Sequence, residues 1–453
     1  NAGFAMSNRE STPGVPEERL EKQFSDYKPL MSKHEALAEA ERCLYCVDAP
    51  CIDSCPTNID IPEFIRRIAT GNVAGSAETI LEQNILGLSC AQVCPTEVLC
   101  QSTCVYNEME EPPIEIGRLQ HYATEHAYER DLHFFEAGEP TGKSVGIIGA
   151  GPAGVACAHE VRKRGHEAVI YEATAYPGGL NTDGVAPYKF QADDSIREIE
   201  YVTDIGGITV EYDTAVGRDV SLGELEEEHD AIFVGVGLGP DRWLPVEGSD
   251  LDGVIGAVDF IEALKTEENF ELPDNLERVA VVGGGNTAID VVREMRGLGV
   301  EDVMLVYRRD AESMSGYDHE WAGAKNVGAR GIWRSQPVEI LGEDRVRGLR
   351  CRKTREVKAD GGGSDLEVVE GTEFDIECDA VILAIGQSKL GELFEDVDGV
   401  QLEWGRIVVD PETGETGNPK YFAGGDCANG GKEVVNAVQE AKIAAGTIDE
   451  RIR

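Results

Sequence analysis

Residues 144–172 read SVGIIGAGPAGVACAHEVRKRGHEAVIYE. A short apolar run, Val145 to Ile148, ends in Gly149-x-Gly151-x-x-Gly154. The next stretch has helical spacing as far as Gly165, and EAVIYE follows as a second strand ending at Glu172. Strand, glycine turn, helix and strand in this order form the context that a dinucleotide-binding fingerprint requires. Gly149 allows the tight turn, Gly151 lets the backbone approach a pyrophosphate, and Gly154 lets helix and strand pack closely. The helix N-terminus offers N–H groups and positive potential to phosphates. Glu172, 23 residues after Gly149, stands where a carboxylate accepts ribose hydroxyls.

A second copy lies at 278–288, RVAVVGGGNTA, with Gly283-x-Gly285-x-x-Ala288. Its helix is IDVVREMRGLG and its second strand VMLVY. That strand ends in Arg308-Arg309, not in a carboxylate. Two guanidiniums there suit the 2′-phosphate of NADP, so NADPH is expected, with NADH as the alternative. A third segment, KYFAGGDCANGGKEVVNAVQE, carries a strand, a glycine turn with Asp426 and a helix. It reads as the returning part of the first fold. AIFVGVGLG (231–239) leaves the first fold before the second begins, and AVILAIGQS (380–388) leaves the second before the first resumes. PDNLE (273–277) precedes the second fingerprint, and ADGGGSDLE (359–367) reads as a hairpin turn inside the insert.

The cysteines define a further module. Eight of the twelve lie within residues 43–104: Cys43, Cys46, Cys51 and Cys55, then Cys90, Cys94, Cys100 and Cys104. The first run is C-x2-C-x4-C-x3-C-P and the second C-x3-C-P-x4-C-x3-C. A disulfide scaffold belongs to short secreted chains, so metal or cluster binding is preferred. Zinc S4 sites favour paired C-x2-C units, and only one exists here. Close four-Cys spacing ending in Cys-Pro follows the ferredoxin pattern, so iron–sulfur is expected. Cys157, Cys351, Cys378 and Cys427 read as small buried apolar residues.

The fold class is therefore α/β: two Rossmann-like folds, the second inserted in the first, preceded by a helical iron–sulfur domain. The expected division is 1–138 for the helical domain, 139–245 with 388–453 for the first fold, and 246–387 for the second.

Composition excludes other classes. Acidic residues number 85 and basic ones 41, a net charge of −44. That balance argues against nucleic acid and against anionic membranes. No apolar run approaches the roughly 18 residues of a membrane span. The N-terminus lacks the apolar region of a signal peptide, so a cytoplasmic protein is expected. Residues 1–6, NAGFAM, read as an addition before a natural start at Met6. Acidic loops such as GELEEEHD (223–230) and GELFEDVD (391–398) recur along the chain, and only 14 of the 41 basic residues are Lys. Such even acidity suggests adaptation to molar salt, where the Debye length is about 3 Å.

The order of cysteine module, GAGPAG…E, GGGNTA…RR and AGGD…AV resembles the small subunit of NADPH-dependent glutamate synthase. It equally resembles the N-terminal half of dihydropyrimidine dehydrogenase. The match runs from about residue 35 to 450 and includes ERCLYCVDAPCIDSCPTNIDIPEFI, NILGLSCAQVCPTEVLC and IGRLQHYATE. The resemblance implies FAD, two [4Fe-4S] clusters and a nicotinamide site. It implies one cluster on Cys43, Cys46, Cys51 and Cys104, and the other on Cys55, Cys94, Cys100 and Gln120, leaving Cys90 a non-ligand. Gln120 leans toward the pyrimidine branch. FAD contacts are implied at Gly149, Ala150, Gly151, Pro152, Ala153, Gly154, Glu172, Gly179, Leu180, Lys189, Gly425, Asp426 and Val434. NADP contacts are implied at Gly283, Gly285, Asn286, Thr287, Ala288, Arg308, Arg309, Ile385 and Gly386. The family often reads MPGS after the Arg pair. Ser313-Met314-Ser315-Gly316 lacks that Pro, which leaves the shape of this loop open.

Hydride transfer between bound cofactors needs no side-chain acid or base, so no catalytic residue is expected. Electrons would leave through the cluster module to a larger subunit, that of glutamate synthase or of a pyrimidine dehydrogenase, or to ferredoxin from a stand-alone reductase. A thioredoxin reductase is disfavoured because the insert lacks C-x-x-C. A zinc-binding interaction protein would contain neither flavin nor iron.

Overall fold

The computed structural model describes residues 12–273, 275–358 and 364–453. NAGFAM, and the tip (359–363) of the expected hairpin turn, lie outside the described residues.

The first third is helical. Helices Lys33–Arg42, Ile61–Ala69, Val73–Gln83, Gly87–Val93 and Ile116–Tyr128 carry the module. Their starts follow from local chemistry. Ser32 and Glu35 form a capping box, and the Asp60 side chain accepts from Glu63 N at 3.1 Å with Pro62 in the first turn. Ile61, Phe64, Ile65 and Ile68 line one face of the second helix and are all buried, the spacing of an amphipathic helix.

The first sheet opens with β1 (Ser144–Ile148), β2 (Glu167–Tyr171), β3 (Ile208–Glu211) and β4 (Ala231–Val234). The chain then crosses to a second sheet with β5 (Val254–Gly256), β6 (Arg278–Val282), β7 (Asp302–Val306) and β8 (Arg330–Ile332). Next comes an antiparallel unit of β9 (Ser335–Gly342), β10 (Val346–Lys358), β11 (Ser364–Val368) and β12 (Phe374–Glu377). β13 (Ala380–Leu383) returns between β5 and β6, giving the parallel order β5-β13-β6-β7-β8. A short hairpin, β14 (Leu402–Glu403) with β15 (Arg406–Ile407), leads to β16 (Tyr421–Ala423). β16 pairs parallel with β4 and completes the order β16-β4-β1-β2-β3. The second fold is therefore inserted in the first, as the two linking strands implied. The linkers pair with each other: Gly239 N donates to Ser388 O at 3.1 Å and Ser388 N to Pro240 O at 2.8 Å.

One segment crosses all three modules. Val15 packs on Ala192 and Ile196 of the first fold, while Leu20 and Phe24 pack on the core of the inserted fold. Tyr27 N donates to Tyr188 O at 2.7 Å, and Lys28 Nζ to Cys94 O at 3.2 Å. Among the described residues no helix is long and apolar enough to cross a membrane.

Candidate functional site: two glycine cradles and two cysteine sets

The first cradle forms where β1 turns into the helix Pro152–Lys163. Gly149 sits at φ +97, and a Cβ there would lie 2.7 Å from Gly235 O. A Cβ on Gly154 would overlap the Gly149 carbonyl. Gly151 caps the helix without a side-chain bond, so its first N–H groups are left for a ligand. A Cβ on Gly151 would meet only Gly179 Cα, at 4.0 Å, and Gly179 opens the short helix Leu180–Asp183. Beside Ala153 stands Gly425, φ +74, at the start of Asp426–Asn429. The helix Val434–Ile452 likewise begins without a side-chain cap. Glycine gaps and uncapped helix starts suit a pyrophosphate and its attached groups.

Glu172 is buried and partly committed. Its carboxylate accepts from Ala150 N at 2.7 Å and from Thr174 N at 2.8 Å, which fixes the turn. Asp426 accepts from Lys432 N at 3.1 Å, and burial raises its pKa. Lys189 is engaged elsewhere: Nζ lies 2.8 Å from Asp290 and 2.9 Å from Glu320, both on the inserted fold. Burial would lower its pKa, but these two carboxylates outweigh it and hold it at about 12. The residue thus ties the two folds together.

The second cradle differs. Gly283 sits at φ +156, and Ala288 takes the third fingerprint position, fully buried. Gly285 caps the helix Asn286–Gly297, again with no side-chain bond, so the N–H of Thr287 in its first turn is left for a ligand. Asn286 Oδ1 accepts from Tyr317 N at 2.9 Å. The loop whose shape lacked a Pro is pinned here: Gly316 N donates to Gly284 O at 2.9 Å and Tyr307 OH to Ser313 O at 3.0 Å. Arg308 is exposed and Arg309 half-buried, beyond β7. Among the described residues neither guanidinium has an ion-pair partner, whereas Arg330 and Arg334 nearby each have one. Ile385 leads into Gly386, φ +96, where a Cβ would meet nothing within 4 Å.

The cysteines gather in two sets. Cys43, Cys46, Cys51 and Cys104 line one cavity with Ile61 and Ile65. Burial pushes the Cys51 thiol up to about 12, and Cys43 and Cys104 add to the shift. Cys100 is raised by burial and then by Cys55 and Cys94, so these three are neighbours. Thiols so crowded resist ionisation unless a cation takes their charge, which is the donor chemistry of an iron–sulfur centre. Gln120 is buried, and its Nε2 donates to Gly87 O at 2.7 Å. That bond orients the amide, and among the described residues no group donates to its Oε1. Cys90 is buried against Cys94 and both pack on Val435. The second set therefore lies beside the helix start of the first cradle.

One connection is invisible in the sequence. Glu198, on the first-fold helix Ala192–Thr203, reaches the start of Gly87–Val93, the helix that ends at Cys94. It accepts from Leu88 N at 2.8 Å and Ser89 N at 3.2 Å, and also from the Ser89 hydroxyl. Burial raises its pKa to about 7 against the lowering by the Ser89 bonds. No local pattern marks Glu198, because Leu88 and Ser89 are over a hundred residues away. Lys189's partners, Asp290 and Glu320, escape a sequence reading for the same reason.

The comparisons with known proteins agree with this geometry. Residues 20–132 match the family model described as dihydropyrimidine dehydrogenase domain II, 4Fe-4S cluster. Residues 143–441 match that of pyridine nucleotide-disulphide oxidoreductase. The glutamate synthase [NADPH] small chain of Escherichia coli is 33% identical, covering 98% of this chain and 97% of that one. The chain belongs to this family. It is an FAD-dependent oxidoreductase with 4Fe-4S clusters and a nicotinamide nucleotide site. A second member, the NAD-dependent dihydropyrimidine dehydrogenase subunit PreT of Escherichia coli, is also 33% identical, covering 94% of this chain and 96% of that one. The fold is shared with Mycobacterium tuberculosis FprA in complex with NADPH, at TM-score 0.58 and 20% identity over 69% of this chain and 85% of that one.

Proposed function

We propose that the chain is the NADPH-oxidising electron-input subunit of a larger oxidoreductase, with the glutamate synthase large subunit as its partner. The observation that carries the nucleotide choice is Arg308-Arg309 beyond β7, without an ion-pair partner among the described residues, in a chain with a net charge of −44. Guanidiniums left without carboxylates amid such an excess suit the bidentate recognition of a 2′-phosphate. The similarity to the glutamate synthase small chain supports the partner. Gln120 and the similarity to PreT favour a pyrimidine dehydrogenase chain as a second reading; a ferredoxin-type reductase acting alone is a third.

In this reading Gly149, Ala150, Gly151, Pro152, Ala153, Gly154, Glu172, Gly179, Leu180, Gly425, Asp426 and Val434 hold FAD, with Lys189 at its margin. Gly283, Gly285, Asn286, Thr287, Ala288, Ile385 and Gly386 hold the nicotinamide nucleotide with the two arginines. Cys43, Cys46, Cys51 and Cys104 hold one cluster, and Cys55, Cys94, Cys100 and Gln120 the other. The division 1–138, 139–245 with 388–453, and 246–387 separates these duties. When bound, the flavin takes a hydride as an electron pair and the clusters carry single electrons onward. The protein's own residues orient these groups: Lys189, Asp290 and Glu320 fix fold against fold, and Glu198 fixes the second cysteine set against the first cradle. The acidic surface serves a cytoplasm of high salt, so activity should fall in dilute buffer.

Anaerobic purification from native cells in high salt, with the co-purifying chains identified by mass, tests this reading. A large glutamine-hydrolysing chain supports it. A flavin-barrel dehydrogenase chain moves the protein to pyrimidine metabolism. A chain that comes out alone and reduces ferredoxin with NADPH overturns the subunit reading.

A further inference from the structure

The two cysteine sets differ in what covers them. Cys94 is buried against Cys90 and Val435, at the start of Val434–Ile452, and Cys100 is buried too, whereas Cys55 and all four of Cys43, Cys46, Cys51 and Cys104 are half-buried. The loop joining Cys43 to Cys51 faces outward. Its Tyr45 and Asp48 sit in left-handed backbone, at φ 49 and 52, on either side of the inward Cys46 and the exposed Val47. Leu44 is 50% exposed, Tyr45 37% and Val47 89%. Three large apolar side chains in one short loop are unusual for a chain this acidic, and exposed apolar patches mark interaction sites.

The patch has a rim of one sign. Glu41, Asp48 and Asp53 are exposed around the loop, and Glu108, Glu110 and Glu111 follow Cys104. The nearby cations are spent: Arg42 pairs with Glu39 at 2.7 Å, and Arg66 pairs with Glu63. No free cation is left among the described residues of this face.

We infer that the Cys43–Cys51 loop is the docking face for the electron-accepting protein, whose matching surface has an apolar centre ringed by Lys and Arg. The inference rests on the reading that electrons leave through the half-buried cysteine set. An apolar centre excludes water and sets affinity, while close pairs between the charged rim and its counterpart fix which surface is accepted. Electrons pass singly from the reduced outer cluster to the partner's oxidised centre, with no bond made or broken between the proteins.

Val47→Arg and Glu41→Arg place cations at the centre and rim without touching a cysteine. Both are made in the full chain, with iron content, bound flavin and NADPH–ferricyanide reduction as controls that should match wild type. Two readouts follow: retention of the chain that co-purifies with wild type, and NADPH-driven reduction of a basic cytochrome c, which carries lysines around an apolar haem edge. Removing a hot-spot contact at the centre of a protein interface costs tenfold or more in affinity, about 1.4 kcal/mol for each tenfold. Retention should therefore fall at least tenfold in Val47→Arg, and cytochrome c reduction should fall in both variants. Undiminished retention overturns the docking face, whatever cytochrome c does. If wild type has no partner at all, the subunit reading fails and the docking face falls with it.

Discussion

The two glycine cradles share a sequence pattern but hold their turns differently. In the first, Gly149 at φ +97 presses its carbonyl against Gly154, so no Cβ fits at the third position. Glu172 closes that turn by accepting from Ala150 N. In the second, Gly283 sits at φ +156 with the Ala384 carbonyl where a Cβ would stand, Ala288 fits at the third position, and beyond the strand follow two arginines without an ion-pair partner among the described residues. A turn drawn tight around a carboxylate suits a resident ribose. A turn that faces cations suits a phosphorylated nucleotide.

The largest effect should come from putting the second cradle's residue into the first. Gly154→Ala drives a methyl into the Gly149 carbonyl, and overpacking of this kind costs about 1–3 kcal/mol or more. The purified variant should lack flavin absorbance and melt well below wild type. Flavin retained at wild-type stoichiometry would break the distinction between the turns.

Next in size is the loss of the arginine pair. Hydrogen bonds to charged groups contribute roughly 1.5–3 kcal/mol each. Arg308→Ala with Arg309→Ala should lower kcat/KM for NADPH by about a hundredfold, measured with ferricyanide, and leave NADH within about twofold. An equal loss for both nucleotides would mean that the pair shapes the fold and does not read the phosphate.

Glu198 tests whether the first fold anchors the cysteine module. Its folded pKa, about 7, lies above the usual glutamate value of 4.5 because of burial. The native state thus binds more protons than the unfolded state between these values, so stability falls as pH rises through this window. A shift of this size corresponds to about 3 kcal/mol at most. Glu198→Gln should flatten the decline in denaturant midpoint between pH 5 and pH 7.5. A variant with the wild-type slope would place the titration elsewhere.

The smallest effect should be the reverse exchange. Ala288→Gly adds backbone freedom in a helix and costs about 1 kcal/mol. Melting should drop by a few degrees, with NADPH turnover preserved.

Much of this was legible because it is local. Gly149, Gly151 and Gly154, the spacing of Cys43 to Cys104, and the Arg pair all declare themselves within a few dozen residues. The insertion could be read too, since AIFVGVGLG and AVILAIGQS mark where the chain leaves each sheet. What could not be read was made by distance. Lys189 meets Asp290 and Glu320 only once the two folds pack. The segment from Val15 to Lys28 has no periodic face, and only the assembled modules give it a role as a strap. Exposure of Val47 likewise depends on where the ligand loop is set down.

The central claim is that electrons enter as NADPH on the inserted fold. The most direct test is anaerobic rapid mixing of the flavin-loaded wild-type chain with NADPH or NADH, following the loss of visible flavin absorbance. The account predicts reduction by NADPH at concentrations at least tenfold below those needed for NADH. Equal efficiency, or a preference for NADH, would contradict it.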